Sequence, residues 1–393
     1  MQAILLPLLI VMLPQICLSA LQLGVPVLAP AFVVEVGMAP EAVGLIGGCI
    51  GFGSVWMFAA NPEITPVLGP LPALMIACLL SVIGSGLVLT GMPAAILIGA
   101  VVIGFAYAVT APAGSQILST HVPRHWWGTV FSIRQAGVPL GGAIAGILGT
   151  SLASAFGWRL ALGVLTAFPL ICAGVLFAAP RRFHAGANGQ RFRVSGLFKP
   201  SNVAVPFRTL RADPQLRAMT LASLGFAAVQ GSLFAFFTTY LTDGLGFDLV
   251  MAGALFATLQ IVSFMGRLGA GALADRMGAF RPLLRAMSVM AALFCAVLAL
   301  IHTGWPDWAL YLIAGATGLA AATWNGLYLA EIARLVTPER VGQATAGATF
   351  FTFVAYMATP PLFGLIVLLS GYELAFMTAG CAVLASFWLL RKA

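Results

Sequence analysis

Charge is what this sequence has least of. Only 8% of its 393 residues are Asp, Glu, Lys or Arg, where a soluble domain carries about 25%. The shortage excludes any sizeable water-exposed domain. Acids are scarcest, with 11 Asp and Glu against 19 Lys and Arg. The six cysteines (Cys17, Cys49, Cys78, Cys172, Cys295, Cys381) all fall inside apolar runs, without the spacing of a disulfide framework or a metal site. They read as small packing residues. The four histidines (His121, His125, His184, His302) lie in loops or at the ends of apolar runs. Neither they nor the cysteines converge in a motif, and the chain has no nucleophile elbow or phosphate loop. An enzyme is not expected, and nothing calls for a cofactor or a metal.

In place of charge the chain has apolar length. Hydrophobic residues make up 61% and mean hydropathy is +1.03. Twelve runs approach the ~20 residues that a helix needs to cross a bilayer. They read as 5–29, 41–60, 69–90, 92–115, 128–153, 160–179, 218–242, 249–271, 282–302, 307–330, 342–366 and 371–390, spans one to twelve. The first lacks the basic start of a signal peptide and stays apolar to Pro30, so it reads as a span.

The net charge of +8 would suit a nucleic-acid binder, but its placement argues against one. Arg124 lies in one short connector. Arg181, Arg182, Arg191, Arg193, Lys199, Arg208, Arg211 and Arg217 lie in the long one. Arg267, Arg276, Arg281 and Arg285 flank another, Arg334 and Arg340 a third, and Arg391 with Lys392 end the chain. Apart from these, only Arg134 and Arg159 remain. Positive charge on alternate connectors sets both termini in the cytoplasm of a multi-pass protein of the inner (plasma) membrane. Trp126, Trp127 and Trp388 then mark the cytoplasmic interface, and Trp158, Trp305 and Trp308 the periplasmic one. The basic segment 181–217 is the one long polar connector. It reads as a cytoplasmic linker between two six-span units, 1–180 and 218–393, and as a partner for lipid headgroups.

The two units repeat at an offset of 214 residues. Gly128 meets Gly342, the turn at 157–159 meets 371–373, and Asn61 meets Asp275. Span five, opening after Pro123 with a basic, Trp-rich edge, carries Gly137, Pro139, Gly141, Gly142, Gly146 and Gly149. Glycines four apart strip one helix face so that another backbone can approach. Gly44, Gly47, Gly48 and Gly51 of span two, Gly253, Gly266, Gly269 and Gly271 of span eight, and Gly342 and Gly347 near the start of span eleven extend the pattern.

These features resemble the bacterial members of the major facilitator superfamily over essentially the whole chain. The most specific segment is GALADRMGAFR between spans eight and nine, with Gly271, Asp275, Arg276, Gly278 and Arg281 in the loop signature. The equivalent first-half loop, AANPEITPVLGP, has no Asp-Arg pair. GVPLGG in span five partly resembles a motif of proton-coupled drug antiporters. The resemblance implies an all-α membrane protein of two pseudo-symmetric six-helix bundles that rock about a central cavity. It also implies a charge clasp at the 271–281 loop, and a moving seam at spans two, five, eight and eleven.

The family's lining helices direct attention to the polar side chains at mid-depth. Gln15, Gln22, Tyr107, Gln230, Trp324, Asn325 and Tyr328 are candidates to bind a small-molecule substrate. For the glutamines, hydrogen bonding between helices is the alternative, and for Trp324 and Tyr328 it is core packing. Arg134 stands apart, because an Arg at the centre of a span costs about 2.5–3.5 kcal/mol on insertion scales. Either it snorkels or pairs with Glu331, or it draws a carboxylate into the cavity through its planar fork. Glu331 is the best candidate for proton coupling. The leading expectation is a monomeric secondary transporter of a small organic anion. A drug or metabolite efflux antiporter is the alternative, and a non-transporting receptor or scaffold the reading from another class.

Overall fold

The computed structural model describes residues 2–392 except 124–125, 181–182, 184–191, 200, 278–279 and 337–340. Gly278 of the loop signature lies outside the described residues. Those described form helices and short turns. Ten helices are long and apolar enough to cross a membrane, from Leu5–Phe32 through Ala344–Arg391. Two further spans are hidden from that criterion. The last helix, Val341–Lys392, holds two spans joined at Gly371, whose φ of 83° and ψ of 172° are not helical. Span ten is split into Asp307–Ala322 and Asn325–Arg334, with a break at Thr323 and Trp324. The expected twelve spans are thus accounted for, with span ten in two pieces.

Proline and glycine set the boundaries. Pro40, Pro70, Pro93 and Pro214 stand at the first turns of their helices, where the absent N–H would have had no partner. Gly157, at φ 86° and ψ 157°, separates spans five and six, as Gly371 separates eleven and twelve. These two glycines stand 214 residues apart in the same left-handed conformation, which residues with a Cβ rarely adopt.

The second bundle begins inside the segment read as linker. Asp213 caps Pro214–Thr239, its Oδ1 accepting from the Gln215 and Leu216 amides at 2.8 and 3.2 Å. An Asp-Pro start with a capping carboxylate holds a helix end by about 1 kcal/mol. The linker also carries its own helix, Ser201–Ala212. Trp158 differs from its expected place in a lipid-facing belt. It is buried against Phe32, with ring centroids 5.1 Å apart, and donates to Glu35 Oε2 at 2.8 Å. Arg159 pairs with the same carboxylate at 2.5 Å. Trp126, Trp308 and Trp388 are exposed, as belt residues are.

The bundles meet along two seams. In one, span two lies on span eleven. A Cβ on Gly44 would stand 2.5 Å from the Pro360 carbonyl oxygen, and one on Gly51 would strike the Met357 backbone. In the other, span five lies on span eight, where Gly146 and Gly253 back onto each other. Gly269 and Gly271 have nothing within 4 Å of a notional Cβ, so they lie off the seam expected of them.

Candidate substrate cavity

Between the seams lies a cavity of about 460 Å³, in the range of small-molecule sites. It gathers every candidate named for substrate binding: Gln15, Gln22, Tyr107, Arg134, Gln230, Trp324, Asn325 and Tyr328. Spans two, eight and eleven line it too. Phe58 and Phe353, one from each bundle, also line it, with ring centroids 4.8 Å apart.

Arg134 neither snorkels out nor pairs with Glu331. It is 4% exposed. One terminal nitrogen donates to the Ala111 carbonyl at 2.9 Å and to Ser115 Oγ at 3.0 Å, and the other to Gln135 Oε1 at 3.3 Å. Its Nε–H is buried without a partner. Glu331 is engaged elsewhere and does not line the cavity. It pairs with Arg281 at 2.5 Å and with Arg334 at 3.7 Å. Arg281 of the loop signature therefore clasps the end of span ten within its own bundle. Arg276 is exposed, and Asp275 is described as helix backbone.

A second buried arginine, grouped above with the loop cations, completes the site. Arg267 is 8% exposed and its guanidinium joins three elements. Nε and one terminal nitrogen converge on the Ala322 carbonyl at 3.2 and 2.9 Å. That terminal nitrogen also reaches Asn325 Oδ1 at 3.3 Å. The other donates across the bundle interface to the Gln135 carbonyl at 2.8 Å. The Gln135 acceptor is free for a sequence reason. Pro139 has no N–H to close the helical bond onto Gln135, four residues earlier. Span ten breaks just after Ala322, so that carbonyl ends a half-helix, where the dipole favours a cation. Ser263 Oγ donates to it as well, at 3.0 Å. The signal for Arg267 was present in the sequence. It lies within the expected range of span eight, eight residues before Asp275, about 12 Å along a helix.

Another part of the lining is aromatic and amide. Gln230 Oε1 accepts from Trp324 Nε1 at 2.9 Å and from Tyr356 Oη at 2.7 Å. An indole N–H only donates, which fixes which end of the amide is oxygen. Gln230 thus keeps its NH₂ as its remaining hydrogen-bonding capacity. Trp324 stacks on Phe226 at 5.2 Å, with Tyr328 at 5.5 Å on its other flank. Both guanidiniums touch Gln135, one at its side chain and one at its carbonyl. Among the described lining residues there is no Asp, Glu or His. Backbone carbonyls solvate the two cations but do not neutralise them.

A fold of two packed helical bundles around a cavity that holds buried arginines is that of a membrane transporter. The profile described as Major Facilitator Superfamily matches residues 12–331, and the chain belongs to that superfamily. It is a multi-pass secondary transporter and not an enzyme. Among solved structures it resembles the nucleoside transporter NupG, determined as a mutant, with TM-score 0.78 and 17% identity over 98% of each chain. It also resembles a D-xylose–proton symporter, with TM-score 0.75 and 15% identity over 97% of this chain and 96% of that one. At such identities the likeness is one of fold. No curated protein sequence matches the chain.

Proposed function

We propose that the transported solute is a small organic anion, bound between units 1–180 and 218–393 as they rock about the linker 181–217. The observation that carries this reading is the pair Arg134 and Arg267 in one cavity whose described lining holds no acid. A carboxylate 4 Å from a guanidinium gains about 4 kcal/mol at an effective dielectric constant of 20, enough to offset much of the cost of burying either cation. The amide of Gln230 and the ring of Trp324 would hold the solute's body. Nucleosides and xylose, named for the two structural relatives, are uncharged and would leave both arginines uncompensated.

Coupling follows the same logic. No described cavity residue is a carboxylate or imidazole, and Glu331 is tied to Arg281 outside the cavity. A proton that moves with this solute would therefore ride on the solute's own carboxyl group. The charge distribution supports an inner-membrane protein with cytoplasmic termini, and we propose that it acts as a monomer. Efflux of amphipathic drugs or metabolites is the competing reading, favoured by the aromatic wall of Trp324, Tyr328, Tyr356 and Phe234.

Thermal unfolding of the purified protein against monocarboxylates, dicarboxylates, aromatic acids, sugars, nucleosides and cationic amphiphiles tests the proposal. A ligand at 100 times its Kd adds about 2.7 kcal/mol to the folded state. A carboxylate that stabilises the wild type and not Arg134→Ala is the expected result. Stabilisation by a neutral or cationic compound alone, undiminished in Arg134→Ala, would overturn it.

A further inference from the structure

The linker carries chemistry that a tether between two bundles does not need. From Pro180 to Ala212 the chain has seven Lys and Arg and no Asp or Glu. In the same segment Phe192, Val194, Phe198, Val203 and Phe207 present large apolar side chains at 42% to 65% exposure. In a segment surrounded by water, neither feature has a role. Apolar side chains interleaved with cations match one environment, the headgroup layer of a bilayer, where rings enter the acyl boundary and cations meet phosphate.

The segment is also held at the right level. Span six ends at Phe177, itself exposed, just before the linker begins. Trp56, near the end of span two, donates its indole N–H to the Leu197 carbonyl at 3.1 Å. The Phe198 ring lies 5.2 Å from the Trp56 ring. Lys199 pairs with Glu63. Farther along, the Phe207 ring meets Phe351 of span eleven at 4.9 Å, edge to face. The turn Val194–Phe198 thus docks on the first bundle, and the helix Ser201–Ala212 on the second. Within that helix, Val203 and Phe207 are four apart and share a face. Lys199 is neutralised by Glu63, whereas Arg193 and Arg208 are exposed and no described acid pairs with them.

We infer that residues 192–199 and 201–212 form a strap that binds anionic phospholipid on the linker side of the membrane. Arg193 and Arg208 grip headgroup phosphates, while Phe198 and Val203 enter the acyl boundary. Because one end of the strap rests on span two and the other on span eleven, lipid that holds it also steadies the contact between the bundles at Phe58 and Phe353. The partner is a negatively charged leaflet. A zwitterionic one supplies the acyl boundary without the net charge.

The test uses the full-length protein in nanodiscs of phosphatidylcholine, with and without phosphatidylglycerol. Backbone hydrogen exchange across 192–212 is followed at low and high salt. Exchange is expected to slow when phosphatidylglycerol is present and to recover in high salt. Each basic side chain at a negative surface is worth about a factor of five, so Arg193→Gln with Arg208→Gln weakens phosphatidylglycerol binding on the order of 25-fold. Exchange in span nine, away from the strap, serves as the folding control and stays unchanged. Phe198→Ser, as a second variant, speeds exchange in both lipids. Equal exchange in the two nanodiscs, or charge removal without effect, overturns the proposal. So does protection by added polyphosphate with none from phosphatidylglycerol, which would assign these cations to a soluble polyanion.

Discussion

Arg267→Met removes the guanidinium and keeps most of the stem, and two opposing terms set its effect. Relief from burying the cation returns about 2.5–3.5 kcal/mol on insertion scales. Against this stand four lost hydrogen bonds from a charged donor, each worth about 1.5–3 kcal/mol. The loss wins by several kcal/mol. Its components separate through Pro139. The Ala322 carbonyl keeps Ser263, but the Gln135 carbonyl has no helical N–H and becomes an orphan. Adding Pro139→Ala supplies that N–H. In the Arg267→Met background it should recover about 1–3 kcal/mol. In the wild-type background the carbonyl already has a donor, so this part of the gain is absent. The general benefit of Ala over Pro in a helix is common to both backgrounds and cancels in the double-mutant cycle. Thermal unfolding of the four proteins measures it, with a coupling of a few degrees at about 1–2 °C per kcal/mol for a chain this long. Strict additivity of the two substitutions would refute the account of Arg267 as the partner that Pro139 makes necessary.

Gln230→Leu leaves the Trp324 indole N–H and the Tyr356 hydroxyl without their acceptor, and should destabilise the protein by about 2–5 kcal/mol; Gln230→Glu retains an acceptor and should cost less in the same unfolding assay. Gly51→Leu drives a side chain into the Met357 backbone. Overpacking of about 1–3 kcal/mol should part spans two and eleven, read as faster hydrogen exchange near Met357; unchanged exchange there would show that the seam is looser than its geometry. Glu35 provides the pH test. The hydrogen bond from Arg159, and then that from Trp158, holds its carboxyl below the usual carboxylate range. A depressed folded-state pKa means that the clasp contributes above the unfolded-state value and is lost as pH falls through the folded-state one. The Tm difference between wild type and Glu35→Gln should accordingly be positive at neutral pH and vanish in acid.

The fold was legible because a bilayer leaves few choices. Twelve apolar runs had to be helices, since no other segment satisfies its own backbone in lipid, and alternate basic connectors ordered them. The 214-residue offset, read from turn glycines, reappears as the shared backbone conformation of Gly157 and Gly371. The break in span ten was not legible. Thr323, Trp324 and Asn325 contain neither proline nor glycine, and what holds the break open is the Ala322 carbonyl's contacts with Ser263 and Arg267 of another span. Trp158 misled for a related reason. Composition places an aromatic at a membrane edge, and only the position of Glu35, more than a hundred residues earlier, turns it inward.

The site was half legible, and the missing half shows where charge counting fails. Arg134 was conspicuous because no connector lay near it. Arg267 has the same chemistry and a comparable depth of burial, but it precedes three arginines that flank the next connector, and a rule that counts cations by connector absorbed it. The rule weighs the cost of placing a charge in lipid and ignores what the interior can offer that charge. Here the offer is backbone: a carbonyl released by a proline on one bundle and another released by a broken helix on the other. Neither is a charged residue, so a search of the sequence for acidic partners finds none. A buried arginine held by carbonyls has an unbalanced positive charge, whereas a carboxylate partner would balance it. On the proposed reading that difference is what would draw an anion to the cavity, and it follows from Pro139 and the Thr323–Trp324 break as much as from the arginines themselves.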